Sequence, residues 1–256
     1  MCGRYVVARS TGDLMAEFDL QAGGDVDVRE SYNVAPTTPV PIVVRRPGED
    51  GEGPGPRELA VARWGLVPPW AKDLNFSSRA FNARSETVRE KPTFRSAVKR
   101  KRCLVLASGY YEWLAPETPS GKKRPFFIHP EDGSTIAFAG LYEWWRDPAG
   151  GEESPWVLSC TILTMASPDQ DEPGVLGELG RLHDRLPVPL DPAFFDEWLD
   201  PENDDAELLV DTATAAAFDV ASGWTMHEVG PAVGNVRNNG PELTEPVGEQ
   251  GSLFSA

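Results

Sequence analysis

The run CLVLASGYYEWL at residues 103–114 decides how the chain is to be read. It is built from β-branched, aromatic and other apolar residues, several alternating with period two, so it reads as strand. Six more stretches share that character: GRYVVAR (3–9), PVPIVVRR (39–46), ELAVARWGLV (58–67), PFFIH (125–129), STIAFAGLYEWW (134–145) and WVLSCTILTMAS (156–167). Turn-forming PEDGS (130–134) and DPAGGEES (147–154) join consecutive runs as hairpins, which predicts largely antiparallel pairing. Helices are fewer. TGDLMAEFDL (11–20) opens on a capping Thr, and DPAFFDEWL (191–199) has Asp191 as N-cap and Pro192 in its first turn. Weaker helices are expected around 172–179 and 204–218. The outcome is an α+β chain of mixed sheets. The Gly/Pro/acid-rich segment 47–57 is expected to be an exposed loop, and the chain from 241 onward a disordered end. With no internal repeat and no boundary that cuts the strand series, one domain is expected.

At 256 residues with 40% hydrophobic side chains, the chain can close a substantial core. It holds no run of eighteen apolar residues and no basic-then-apolar leader, so the expected location is cytoplasmic, with no membrane partner. Cys2, Cys103 and Cys160 are odd in number and lack zinc-site spacing, which predicts neither a disulfide framework nor a metal. Charge is divided along the chain. Residues 1–110 carry 17 Lys/Arg against 13 Asp/Glu, whereas 111–256 carry 7 against 27. A basic cluster runs from Arg84 to Arg102, and the acidic half should confine any nucleic-acid contact to the basic face.

Cys2 directly follows the initiator Met. If Met1 is trimmed, Cys2 presents an α-amine and a thiol on adjacent carbons. The amine has an ordinary pKa of roughly 7.7–8.0, against about 10.4 for lysine, so it is the readier nucleophile near neutral pH. Such an aminothiol condenses with an aldehyde to an imine, which the sulfur then closes to a five-membered thiazolidine. Elsewhere, FNARSET (81–87) sets Asn82, Arg84 and Glu86 at alternating positions, on one face of an extended segment. SGYYEWL (108–114) inserts Glu112 between Tyr111 and Trp113, where packing would suit it to acid–base work. RLHDRLPV (181–188) carries His183 beside Asp184 and Arg185; His129 and His227 read as packing or loop-bonding residues.

MCGRY, YNVAPT (32–37), RWGLVPPWAKD (63–73), FNARSET, SGYYEW, HDRLPV and HEVGPAVGNVRNNGPEL (227–243) together resemble the SOS response-associated peptidase (SRAP) family, the abasic-site processing proteins. The resemblance spans residues 2–247. It implies the family's barrel-like, mostly antiparallel fold flanked by short helices, and a covalent sensor of abasic sites in single-stranded DNA. Cys2 would form the thiazolidine with the sugar's C1′, Asn82 would position the sugar or the amine, and Glu112 and His183 would manage protons. Arg4, Arg84 and Arg185 would grip phosphates, Asn33 would lie in a loop lining the site, and Trp70 would be the aromatic wedge. No cofactor is implied. The chain departs from the family pattern at Ala71 and Leu186, which bears on DNA grip.

Two other readings stay open. The family name implies a cysteine peptidase, with autocatalytic removal of Met1 as its most direct expression. A noncovalent single-strand binding module is the third. In the tail (248–256), Gln250, Leu253 and Phe254 form a Q-x-x-L-F pattern similar to peptides that dock on replication sliding clamps, which makes a clamp a candidate partner.

Overall fold

A computed structural model describes residues 2–48, 53–116, 118–151 and 153–248. In chain order its elements are β1 (Tyr5–Val7), α1 (Thr11–Glu17), β2 (Ser31–Val34), β3 (Pro39–Pro47), β4 (Pro54–Trp64), β5 (Asn82–Arg84) and α2 (Ala97–Arg100). There follow β6 (Arg102–Ala107), β7 (Gly109–Leu114), β8 (Arg124–Pro130), β9 (Ile136–Arg146), β10 (Trp156–Ala166) and α3 (Val175–Leu182). The last are β11 (Arg185–Pro187), α4 (Phe195–Leu199), α5 (Ala206–Ala221) and β12 (Trp224–Glu228).

Two mostly antiparallel sheets result. One has the order β12-β8-β7-β1-β2. The other runs β11-β10-β4-β3-β6-β9 and closes into a ring, because β9 pairs again with β10 over Trp156↔Arg146 to Ile162↔Gly140. The closing members β4 and β5 both run parallel to β10. Ring closure removes the outer edges that would otherwise offer unpaired backbone groups.

The opening stretch 103–114 is two strands, not one. Its chain crosses from the ring (β6) into the open sheet (β7) at Ser108, whose N–H bonds to Val6 O and whose Oγ accepts from Ala8 N. A polar residue at a sheet switch keeps the local backbone satisfied while pleat direction changes.

Three other expectations are corrected. The helix at 11 is capped by Ser10, whose side chain and that of Asp13 form a reciprocal capping box. Residues 54–57, expected in a loop, begin β4, where Arg45↔Arg57 and Pro47↔Pro54 pair; backbone ladder bonds hold a polar hairpin that side chains alone would not. Residues 241–248, expected in a disordered end, are structured: Pro241–Thr244 form a 3-10 turn that buries Leu243 beside Val6, Tyr111, Phe127, Val229 and Val233. The Q-x-x-L-F pattern lies outside the described residues.

Candidate active site

The N-terminus is fixed by an aromatic chain. Tyr5, fully buried, meets Trp64 edge-to-face at 4.8 Å, and Trp64 meets Phe81 in the same way at 5.7 Å while its indole N–H donates to Phe81 O at 2.9 Å. Such aromatic pairs contribute about 0.5–1.5 kcal/mol each beyond burial. They set the FNAR segment beside β1. Gly65, just after Trp64, has φ +128°, and a Cβ there would sit 2.3 Å from Ser77 O, so only glycine lets the following loop fold back.

Cys2 is completely buried at this junction. Asn82 Nδ2 donates to the carbonyl of Cys2 at 2.7 Å, while Asn82 Oδ1 is a buried acceptor with no hydrogen-bond partner among the described residues. On the other side, Tyr5↔Tyr110 pairing and the Tyr111 N–H bond to Arg4 O carry Glu112 up to the Cys2–Gly3 stretch. Burial first, and then the Glu112 charge, push the Cys2 thiol far above its ordinary pKa. The sulfur is therefore held as a thiol, not a thiolate.

Glu112 and His183 share one open cleft of 400 Å³, lined with them by Trp113, Lys123 and Gly234. His183 ends α3 in an extended conformation, its N–H bonded to Leu179 O. Its Nδ1 lies 2.9 Å from Arg185 N, from which it accepts when the ring carries its proton on Nε2. Asp184 Oδ1 lies 2.8 Å from the same Nδ1. One nitrogen cannot serve both as acceptor and donor, so the two contacts are alternatives: a bare Nδ1 accepts from Arg185 N, and an Nδ1–H donates to Asp184, which is 85% exposed.

A second groove, of 450 Å³, opens on the Asn82 side, lined by Phe76, Arg79, Phe81, Asn82, Arg84 and Lys91 among others. Burial alternates along 82–86 as the pattern requires: Ala83 and Ser85 are buried, Arg84 and Glu86 exposed. Trp70 is 56% exposed and stands edge-on to Phe76 at 5.2 Å, with Arg79 over the other ring at 5.7 Å.

Several of the expected site residues have partners within the chain. Asn33 lies in strand β2, not a loop, and is 5% exposed; its Nδ2 reaches Val233, Asn235 and Asn238 carbonyls at 3.3, 3.0 and 2.8 Å. It fastens the 233–238 loop. Arg4 donates to Asn33 Oδ1 and Val233 O, both at 2.7 Å, and lies over Trp113, so its guanidinium is engaged within the chain. Arg185 binds both oxygens of Glu86 and also Thr164 O at 2.6 Å. Of the basic cluster, Arg89 pairs with Asp211, Arg100 with Asp204 and Lys101 with Glu143. Arg102 is 2% exposed, and its guanidinium donates to the carbonyls of Val98, Lys99, Trp198, Asp200 and Asn203. Part of the acidic half thus neutralises the cluster instead of standing apart from it. Ala71 and Leu186 are both buried, Ala71 against Trp145, so these departures concern packing.

Arg79, Phe76 and Lys123 were not anticipated. Lys122, Lys123 and Arg124 are three consecutive cations in a half with only 7, a signal legible in the sequence. Arg79 carries none that spacing reveals. Among the described residues no cluster of three or more His, Cys, Asp or Glu could hold a metal, and no helix is long and apolar enough to cross a membrane. All three cysteines are free and buried.

The chain belongs to the SRAP family: the family model described as SOS response associated peptidase (SRAP) matches residues 1–236. Abasic site processing protein YoqW of Bacillus subtilis is 36% identical over 248 residues, covering 96% of this chain and 99% of that protein. Abasic site processing protein HMCES of Gallus gallus is 32% identical over 246 residues, covering 86% of this chain and 67% of its own length. In fold, the chain is similar to a crystal structure from Bacteroides thetaiotaomicron, with TM-score 0.72, 22% identity and coverage of 96% of this chain and 100% of that one. A Bordetella bronchiseptica structure follows with TM-score 0.63, 26% identity and coverage of 90% and 100%.

Proposed function

We propose that this protein acts in the DNA damage response by capturing abasic sites in single-stranded DNA, through a thiazolidine between Cys2 and the aldehyde of the ring-opened deoxyribose. The relatives named abasic site processing proteins support the DNA-damage side of this reading. The observation that carries the chemistry is the position of Cys2, with its carbonyl held by Asn82 and its thiol under the charge of Glu112.

With Met1 removed, the α-amine of Cys2 attacks C1′. The carbinolamine loses one water to give an iminium ion, and Sγ adds to the same carbon as its S–H bond breaks. Glu112 is the base for that thiol proton, because a carboxylate that opposes the thiolate also attracts the proton when sulfur begins to bond elsewhere. His183, which lines the shared cleft with Glu112, is the acid for the departing oxygen. Asn82 Oδ1, a buried acceptor awaiting a donor, suits an N–H of the amine or a sugar hydroxyl. No electrons are exchanged; the balance is one water released.

A thiol held protonated does not favour the thiolate attack of a cysteine peptidase. Incubation of the mature protein with single-stranded DNA bearing one abasic site, followed by a denaturing gel, separates the readings. A heat-stable band is expected, absent in Cys2→Ala and in protein retaining Met1. An intact aldehyde with no such band sinks the covalent reading; retention of DNA by Cys2→Ala under native conditions alone marks a noncovalent module. The clamp reading of Gln250, Leu253 and Phe254 is tested by pull-down after deletion from Glu249, and equal clamp binding would remove it.

A further inference from the structure

Cys2 lies between two openings. Asn82, which holds its carbonyl, lines the groove that also contains Arg79, Arg84 and Lys91, three cations with no ion pair among the described residues. Glu112, which acts on its thiol, lines the other cleft. A nucleic-acid strand carrying a lesion at Cys2 continues on both sides of it, so each opening receives a flanking phosphate. On the second side Arg4 is occupied by Asn33, Val233 and the Trp113 face. The cation that lines that cleft is Lys123, exposed at the end of the β7–β8 hairpin and without an ion pair among the described residues.

We propose that Lys123 is a phosphate contact for the strand on the Glu112–His183 side of Cys2, the counterpart of Arg79, Arg84 and Lys91 on the Asn82 side. This rests on the single-strand reading given above. An ammonium on a flexible stem follows a mobile backbone phosphate as a point charge, without fixing a planar geometry. Set beside Glu112 and His183, it also offsets the repulsion that the Glu112 carboxylate exerts on incoming phosphate. The Lys122-Lys123-Arg124 run in an otherwise acidic half then has a place in function: Arg124 is paired with Glu228, which leaves the lysines to the strand.

The test uses the mature full chain with Lys123→Met and Lys123→Arg. Binding is measured on a single-stranded oligonucleotide with a tetrahydrofuran abasic analogue, which has no aldehyde, from 50 to 300 mM salt. Loss of one phosphate contact lowers the log–log salt slope by about 0.7, equivalent to about fivefold weaker binding near 0.1 M salt. Lys123→Met is expected to show both changes and Lys123→Arg neither. In single-turnover crosslinking, the loss should appear in half-saturation and not in the saturating rate. An unchanged salt slope in Lys123→Met overturns the proposal. So does a fall in saturating rate that arginine fails to restore, which would mark proton chemistry instead. If wild type forms no Cys2-dependent crosslink, the covalent reading fails, while tetrahydrofuran binding still reports on Lys123.

Discussion

Arg185 grips Glu86 through both terminal nitrogens, at 2.6 and 2.9 Å, and thereby bolts β11 to the end of the FNARSE segment. The fork is bidentate and Arg185 is 11% exposed, so ordering is largely complete, but Glu86 is 49% exposed and solvent screens the pair. The hydrogen bond from Arg185 lowers the Glu86 pKa below its ordinary 4.5. A depressed carboxylate stabilises the fold above that value and loses its contribution as pH falls through the lower folded value. Glu86→Gln is expected to cost about 1 kcal/mol or less at pH 7. Denaturant midpoints of the two proteins should converge below pH 4.5. Were Arg185 chiefly a DNA ligand, freeing it in Glu86→Gln would tighten DNA binding; weaker crosslinking with no gain in affinity is the outcome expected of a bolt.

Asn82→Ala removes the bond to Cys2 O without enlarging a hydrophobic void, so the fold should persist with a loss of about 1 kcal/mol. Misplacement of a reacting group by an ångström costs about a hundredfold in rate. Crosslinking under single-turnover conditions is expected to slow by ten- to a hundredfold, with DNA affinity on the unreactive analogue little changed.

Arg102 separates fold from binding. Arg102→Met strips donors from five carbonyls in the α2–α4 corner, and buried acceptors left unpaired cost about 1–3 kcal/mol each before solvent relaxes in. A net loss of about 3 kcal/mol or more is expected in urea unfolding. The salt slope of DNA binding, measured on the folded fraction, should not move.

The raised pKa of Cys2 has a direct chemical consequence. In protein retaining Met1, alkylation of Cys2 by iodoacetamide at pH 8 should run at least tenfold slower than in the urea-unfolded chain, where the thiol pKa is about 8.5. Mass spectrometry of the N-terminal peptide reads the result, and rapid labelling of the native chain would contradict a buried, protonated sulfur.

Trp70→Ala should leave stability nearly unchanged, since most of that ring already faces solvent. Loss of a stacking surface for bases weakens single-strand binding by about 1–3 kcal/mol. Unaltered affinity would remove Trp70 from the interface.

Where the candidate site's residues lie on the strands was largely legible because strand periodicity is local. Asn82 and Arg84 fall on one face of β5 by alternation alone, and Glu112 sits where SGYYEW placed it. What periodicity cannot convey is which long side chains are consumed by the fold. Arg4 and Arg185, expected as phosphate ligands, also have within-chain partners that a linear reading does not show, Asn33 and Glu86, 29 and 99 residues away. The break at Ser108 was equally hidden, since a strand that changes sheets keeps its apolar character on both sides. Gly/Pro-rich residues 54–57 and the polar 241–247 segment mislead for the opposite reason: backbone ladders and one buried Leu243 order them despite their composition.

The concealment of Cys2 also imposes an order of events during synthesis. The residues that enclose the second position, Asn82, Glu112 and the strands behind them, leave the ribosome long after it does, and ring closure waits for β10. Until those distant segments pair, nothing encloses Cys2. The same topology that makes folding slow through distant pairings therefore makes the burial of Cys2 wait on contacts made far along the chain.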